Sequence, residues 1–191
     1  MYQKYQTDAL VLSSRESGEA DRTITIYTKD FGLIRGRATS VRSEKSKMRY
    51  AVQNYSRASM SLVRGKRGWR IAGAIALAGA HGKDTAAVAT FARIGELVTR
   101  LVQGEEKNEY LYAALTDAYD AFMVEKCESV GTIEIVCVAR ILYALGYIST
   151  EALETALFTH TAYTGESLLE AETMKDKLLV SINRAIAETH L

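Results

Sequence analysis

The stretch Gly18–Ala38, reading GEADRTITIYTKDFGLIRGRA, most restricts what this chain can fold into. Thr23-Ile24-Thr25-Ile26-Tyr27-Thr28 alternates polar and apolar residues, the period-2 pattern of a half-buried strand. Lys29-Asp30-Phe31-Gly32 supplies the turn, with Gly32 able to take a positive φ. The next strand, Leu33–Ala38, places Arg35 and Arg37 on one face and Ile34 and Ala38 on the other. One side of this hairpin feeds a core, and the other shows two cations.

Further segments extend the pattern to five strands with Gly18–Ala38 at the centre. Thr7–Ser13 is apolar almost throughout and reads as a first strand. Tyr55–Val63 returns to alternation, with Ala58, Met60 and Leu62 on one face and Arg57, Ser59 and Ser61 on the other. Arg64-Gly65-Lys66-Arg67-Gly68 is a glycine-bracketed hairpin tip, and Trp69–Ala76 makes the last strand. Between the third and fourth strands, Ser40–Arg49 is polar and basic without strong periodicity. It is either a mobile loop or the start of a short helix ending near Gln53. Five short strands in such a length suit a small closed barrel, which removes exposed sheet edges by closure. An OB-fold is the leading candidate and an SH3-like barrel the alternative.

The period changes near Asp84. Asp84 or Thr85 can cap a helix carrying Val88, Phe91, Ile94, Leu97, Val98 and Leu101, ended by Gly104. Asn108 begins a second helix with Tyr112, Leu115, Tyr119 and Phe122 at helical spacing. A third runs through Ile133, Val136, Cys137, Arg140 and Ile141 and stops at Gly146. Thr150–Phe158 reads as a short helix and Glu166–Glu188 as a last one. The expected architecture is therefore a two-domain α+β chain. Residues 1–79 form a five-stranded OB-fold barrel, and residues 80–191 form an all-α bundle.

Charge divides the same way. Residues 1–80 hold 15 Lys and Arg against 6 Asp and Glu, a net of +9. Residues 81–191 hold 9 against 17, a net of −8, so the overall +1 conceals a bipolar chain. Cations recur on strand faces and tips at Arg22, Arg35, Arg37, Arg42, Lys45, Lys47, Arg49, Arg57, Arg64, Lys66, Arg67 and Arg70. On a small barrel these could line a groove that follows a phosphate backbone. Candidate stacking platforms are Tyr27, Phe31, Tyr50, Tyr55 and Trp69. Tyr27 and Trp69 lie in core-like strand patterns, whereas Phe31 and Tyr50 lie nearer loops and are better placed to stack. With few exposed aromatics, binding should rest on charge and show weak sequence preference.

Catalytic constellations do not emerge. His81, His160 and His190 are far apart and lack neighbours at metal-ligand spacing. Gly82-Lys83-Asp84-Thr85 resembles a phosphate loop only faintly, with Leu77 where the first glycine belongs and Asp84 where magnesium needs Ser or Thr. Cys127 and Cys137, ten apart, match neither a zinc knuckle nor a redox pair and read as buried free thiols. No enzyme, cofactor or metal is expected. The polar Met1-Tyr2-Gln3-Lys4-Tyr5-Gln6 does not resemble a secretory leader. The longest apolar run, Ile71–Ala80, is roughly half a membrane span. A cytoplasmic protein without membrane contact is expected.

The chain resembles the bacterial RecO recombination mediators. The likeness runs through Asp8-Ala9-Leu10-Val11-Leu12, Gly18-Glu19-Ala20-Asp21-Arg22 and Tyr27-Thr28-Lys29-Asp30-Phe31-Gly32. It continues at Val41-Arg42-Ser43-Glu44-Lys45-Ser46, Gln53-Asn54-Tyr55-Ser56, Arg64-Gly65 and Leu142-Tyr143-Ala144-Leu145-Gly146-Tyr147. The resemblance implies an OB-fold followed by a helical domain, without catalytic turnover. It further implies binding of single- and double-stranded DNA at the nucleoid, annealing of complementary strands, and action with RecR. Such proteins help load RecA onto strands coated by single-stranded DNA-binding protein, whose acidic, apolar C-terminal tail the helical domain docks. Arg93, Arg100 and Arg140 are the candidate cations for that docking pocket. Many members carry a four-cysteine zinc module after the leucine–glycine–tyrosine landmark. Residues 148–164 hold no cysteine, so no zinc is expected here. An RNA-binding module, or an adaptor in which the +9 and −8 halves of different molecules pair, are the other classes the charge pattern allows.

Overall fold

A computed structural model of the chain describes residues 3–124, 127–149, 153 and 155–189. It divides into two compact units: residues 1–81 with 103–108, and residues 82–102 with 109–191.

The first unit is a closed five-stranded barrel, as the alternation predicts. Its strands are β1 (Lys4–Ser17), β2 (Asp21–Thr28), β3 (Gly32–Ala38), β4 (Arg57–Gly65) and β5 (Gly68–Ala78), in the order β1-β2-β3-β5-β4. All neighbours are antiparallel except β3 and β5, whose short parallel pairing (Gly36 with Trp69, Arg37 with Arg70) closes the barrel.

β1 is longer than the apolar stretch Thr7–Ser13, because its polar ends, Lys4-Tyr5-Gln6 and Ser14–Ser17, also pair. Its first half pairs with β4 and its second with β2. A bulge between Val11 and Ser13 lets one strand serve both. Ala9, Val11, Ile24, Ile26, Ile34, Ala58, Met60, Leu62 and Ile71 fill the interior. In β3 and β4 they are the inward members of an alternating strand, so the hydrophobic effect sets the register, whereas β1 and β2 are buried on both faces over Ala9–Leu12 and Ile24–Thr28.

Residues 41–55 form a succession of turns rather than a mobile loop or a regular helix. Val41, Ala51 and Val52 are almost fully buried and cap the core from this segment. The turn after β2 is made by Gly32 at φ 63°. Thr28 Oγ1 accepts from the Phe31 N–H and donates to the Gly32 carbonyl.

The second unit is helical: α1 (Thr85–Leu101), α2 (Glu109–Phe122), α3 (Val130–Ala144), α4 (Gly165–Thr173) and α5 (Lys175–Glu188). Asp84 caps α1 by accepting the Ala87 N–H, which accounts for the stretch that faintly resembles a phosphate loop. α3 stops where Gly146 takes φ 81° and the Tyr147 N–H returns to the Leu142 carbonyl. The expected helix Glu166–Glu188 is two helices instead, broken at Met174. Within Thr150–Phe158, Ala156–Phe158 forms a 3-10 turn, and residues 150–152 and 154 lie outside the described residues. Among the described residues no helix is long and apolar enough to cross a membrane.

Arg140 corrects another expectation. It is fully buried on α3 rather than available to a docking pocket. Nε donates to the Leu157 carbonyl at 2.9 Å, Nη1 to Thr161 at 2.7 Å and Nη2 to Ala162 at 3.3 Å. The guanidinium also lies over the Tyr163 ring, 4.7 Å from its centre. One planar cation thus ties down the segment between α3 and α4, where little regular structure satisfies the backbone. Burial beside it pushes the Cys137 thiol up to about 12, so this sulfur is inert packing. Arg140→Met should destabilise the helical unit by about 3 kcal/mol, because three carbonyls, that of Leu157 buried and the other two partly so, lose a charged donor. Arg140→Lys should rescue little, since a point charge cannot span all three. Urea unfolding followed by circular dichroism checks both.

Candidate nucleic-acid interface

Strand register decides which cations of the barrel become neighbours. Directly opposed residues share a sheet face, and here one outward row crosses all five strands. It runs Arg15 (β1), Thr23 (β2), Arg37 (β3), Arg70 (β5) and Val63 (β4), ending at Lys4 back on β1. Arg15, Arg37, Arg70 and Lys4 are exposed. Adjacent strands lie about 4.8 Å apart, so this row is a ladder of cations one or two strands apart. Arg35 is two residues from Arg37 on the same outward face and is also exposed.

At the β3–β5 closure the row opens into a hollow of about 420 Å³. Arg37, Lys66, Arg67 and Arg70 supply its charge, and Val63 and Trp69 its apolar wall. Trp69 is only 6% exposed and packs edge-on against Tyr5 at 5.6 Å and obliquely against Phe31 at 5.4 Å. The Arg64 guanidinium sits 5.3 Å from the Trp69 ring centre. The hollow therefore offers a cationic rim over a rigid aromatic floor, suited to polyanion contact rather than base insertion.

Other expected site residues lie elsewhere. Arg22 donates to Ser14 Oγ at 3.1 Å. Arg42 pairs with Glu16 at 3.2 Å and donates to the Glu19 carbonyl, which holds the β1–β2 connection and uses much of its charge locally. Lys45, Lys47 and Arg49 are exposed on the turn segment and do not line the hollow. Arg57 is half-buried on β4, opposite Leu10 and Ala78.

The aromatic expectations divide similarly. Phe31 is partly buried against Tyr5 and Trp69, so it belongs to the barrel's aromatic cluster instead of standing free in the turn. Tyr27 is fully buried, and burial raises its pKa. Tyr55 is half-buried at φ 60°, its N–H donating to Val11. Tyr50, 68% exposed, is the aromatic that faces solvent.

Arg15 is absent from the sequence-derived set because it stands in a polar stretch, Ser13–Glu16, with no strand pattern of its own. The register with Thr23 is the signal that finds it.

Asp21 positions Arg37. Its Oδ2 accepts from Arg37 Nε at 3.0 Å and Nη2 at 2.7 Å, while Oδ1 accepts the Ser40 N–H at 2.8 Å. The partner of Asp21 is thus Arg37, across the β2–β3 pair. This carboxylate both aims the guanidinium and anchors the exit of β3.

The family described as "Recombination protein O N terminal" matches residues 1–73. The barrel is thus similar to the N-terminal domain of RecO proteins. Among curated relatives, the DNA repair protein RecO of Desulfitobacterium hafniense is 42% identical over 62 residues, 32% of this chain and 23% of that protein. That of Dehalococcoides mccartyi is 40% identical over 62 residues, 32% of this chain and 24% of its own length. That of Myxococcus xanthus is 29% identical over 116 residues, 59% of this chain and 48% of its own length. The matched stretches therefore span from about a quarter to about half of these RecO proteins.

Asp21's pKa is lowered, first by the Ser40 N–H and then by Arg37. A lowered carboxylate stabilises the fold above its ordinary value of 3.8 and loses that contribution as pH falls through the depressed one. Asp21→Asn should therefore melt below the wild type at neutral pH, with the gap closing as the pH drops beneath 3.8. Thermal melts across that range test it.

Proposed function

We propose that this chain is a non-enzymatic DNA-binding protein of recombinational repair. In this reading it anneals complementary single strands and helps load RecA onto strands coated by single-stranded DNA-binding protein. The observation that carries the proposal is the cation row of a RecO-like barrel, opening into the Arg37–Lys66–Arg67–Arg70 hollow. Such a surface neutralises phosphates and has little with which to read bases, which suits a protein that must handle strands of any sequence. Arg35, Arg37, Arg64, Lys66, Arg67 and Arg70, with Arg15, are the proposed phosphate contacts. Lys45, Lys47 and Arg49 extend the positive field, and Arg22, Arg42 and Arg57 serve mainly the barrel.

The helical unit supports a second part of this reading. An apolar groove of about 490 Å³ is lined by Ile94, Leu97, Ile135, Val138, Leu179 and Ile182. Arg93 and Lys175 also line it, which favours an acidic, apolar peptide such as the tail of single-stranded DNA-binding protein. Arg93 is paired with Glu134 at 2.9 Å, so this docking would compete with an existing ion pair. Contact with RecR rests on the family resemblance, as does a place at the nucleoid.

Affinity for single-stranded oligonucleotides should fall steeply with salt. Arg37→Ala combined with Arg70→Ala should flatten the slope of log affinity against log salt by about 1.4, or about 0.7 for each phosphate left without its arginine. Trp69, the sole tryptophan, forms the hollow's floor, so its fluorescence should change on binding. Annealing of complementary oligonucleotides, with and without the coating protein, tests the function itself. No acceleration in either condition would refute the mediator reading.

A further inference from the structure

The chain returns to the barrel at residues 103–108, an acidic segment reading QGEEKN that forms part of the barrel unit. Two independent contacts seat it there. Gly32, in the β2–β3 turn, faces the Glu106 backbone so closely that a side chain at position 32 would run into the Glu106 carbonyl. Beside the β4–β5 hairpin, the Glu105 carboxylate lies 3.4 Å from Arg64 Nη1. That arginine is the one poised over Trp69, at the edge of the cationic hollow.

We propose that Glu105 is an internal competitor for the nucleic-acid site, standing on Arg64 where a phosphate would otherwise sit. A carboxylate and a phosphate oxygen make the same charge-assisted contact with guanidinium, and two anions on one exposed arginine repel. The pair is open to water, with Arg64 64% and Glu105 37% exposed, so its hold is modest and a polyanion can displace it. The Gly32 contact keeps the carboxylate at high effective concentration whether or not the pair is made. The device therefore sets a threshold: short or isolated phosphates fail to displace Glu105, and a continuous strand, anchored by the neighbouring cations, succeeds. This inference rests on the proposed nucleic-acid reading of the barrel and adds a regulatory element to it.

The test titrates a fluorescent single-stranded oligonucleotide with wild type, Glu105→Gln, Arg64→Ala and the double variant, at several salt concentrations. Glu96→Gln, an equal charge change on α1, controls for net charge, and circular dichroism melts confirm folding. Glu105→Gln should bind about two- to fivefold tighter at low salt, the span of an exposed ion pair. Its salt slope should match that of the wild type, because Arg64 meets a phosphate in both proteins once the strand is bound. The gain should vanish in the Arg64→Ala background. Unchanged affinity in Glu105→Gln, with the wild type binding normally, would overturn the competitor and leave the barrel's function standing. Failure of the wild type to bind at low salt would instead overturn the function, and the competitor with it.

Discussion

The short parallel pairing of β3 with β5 is the contact on which the barrel's cation row depends. It involves only Gly36 with Trp69 and Arg37 with Arg70, yet it closes the sheet and sets Arg37 beside Arg70. Residues far apart in the chain become neighbours one strand apart. Without closure, the same arginines would belong to separate edges of an open sheet and would not share a row.

Cations that look alike in the sequence carry out three different tasks. Arg140 is buried and serves three carbonyls, so its charge never meets solvent. Arg42 bridges Glu16 and the backbone of the β1–β2 connection, a mostly structural use. Arg35, Lys66, Arg67 and Arg70 are exposed on strands or a hairpin tip. What separates the three groups is the supply of nearby acceptors, which follows from which segments fold against each arginine. Counting charge along the chain therefore overstates the charge left for a partner.

Alternation made the barrel legible in the sequence, because burial of every second residue leaves a mark that single residues can show. Arg57–Leu62 folds as its pattern predicts, and Gly32 turns where the pattern breaks; Thr23–Thr28 is a strand as expected but is buried on both faces from Ile24 onward, not half-buried. The full length of β1 was not legible, since its ends are polar and gain their place from partner strands alone. The break at Met174 was equally hidden, because Leu168, Leu169, Leu178 and Leu179 maintain a helical rhythm on both sides of it. Arg15 and the Asp21–Arg37 pair depend on cross-strand register, which leaves no local trace.

By itself, the sequence determined a barrel of strands with a basic surface, then helices with an acidic balance, and a resemblance to RecO proteins. Those properties are local, set by which residues avoid water and which bear charge. Only the tertiary structure decided which cations share a row, which are spent inside the protein, and that Glu105 reaches Arg64. Such pairings join residues far apart in the chain, and the energy that selects them comes from closing the barrel and filling its core.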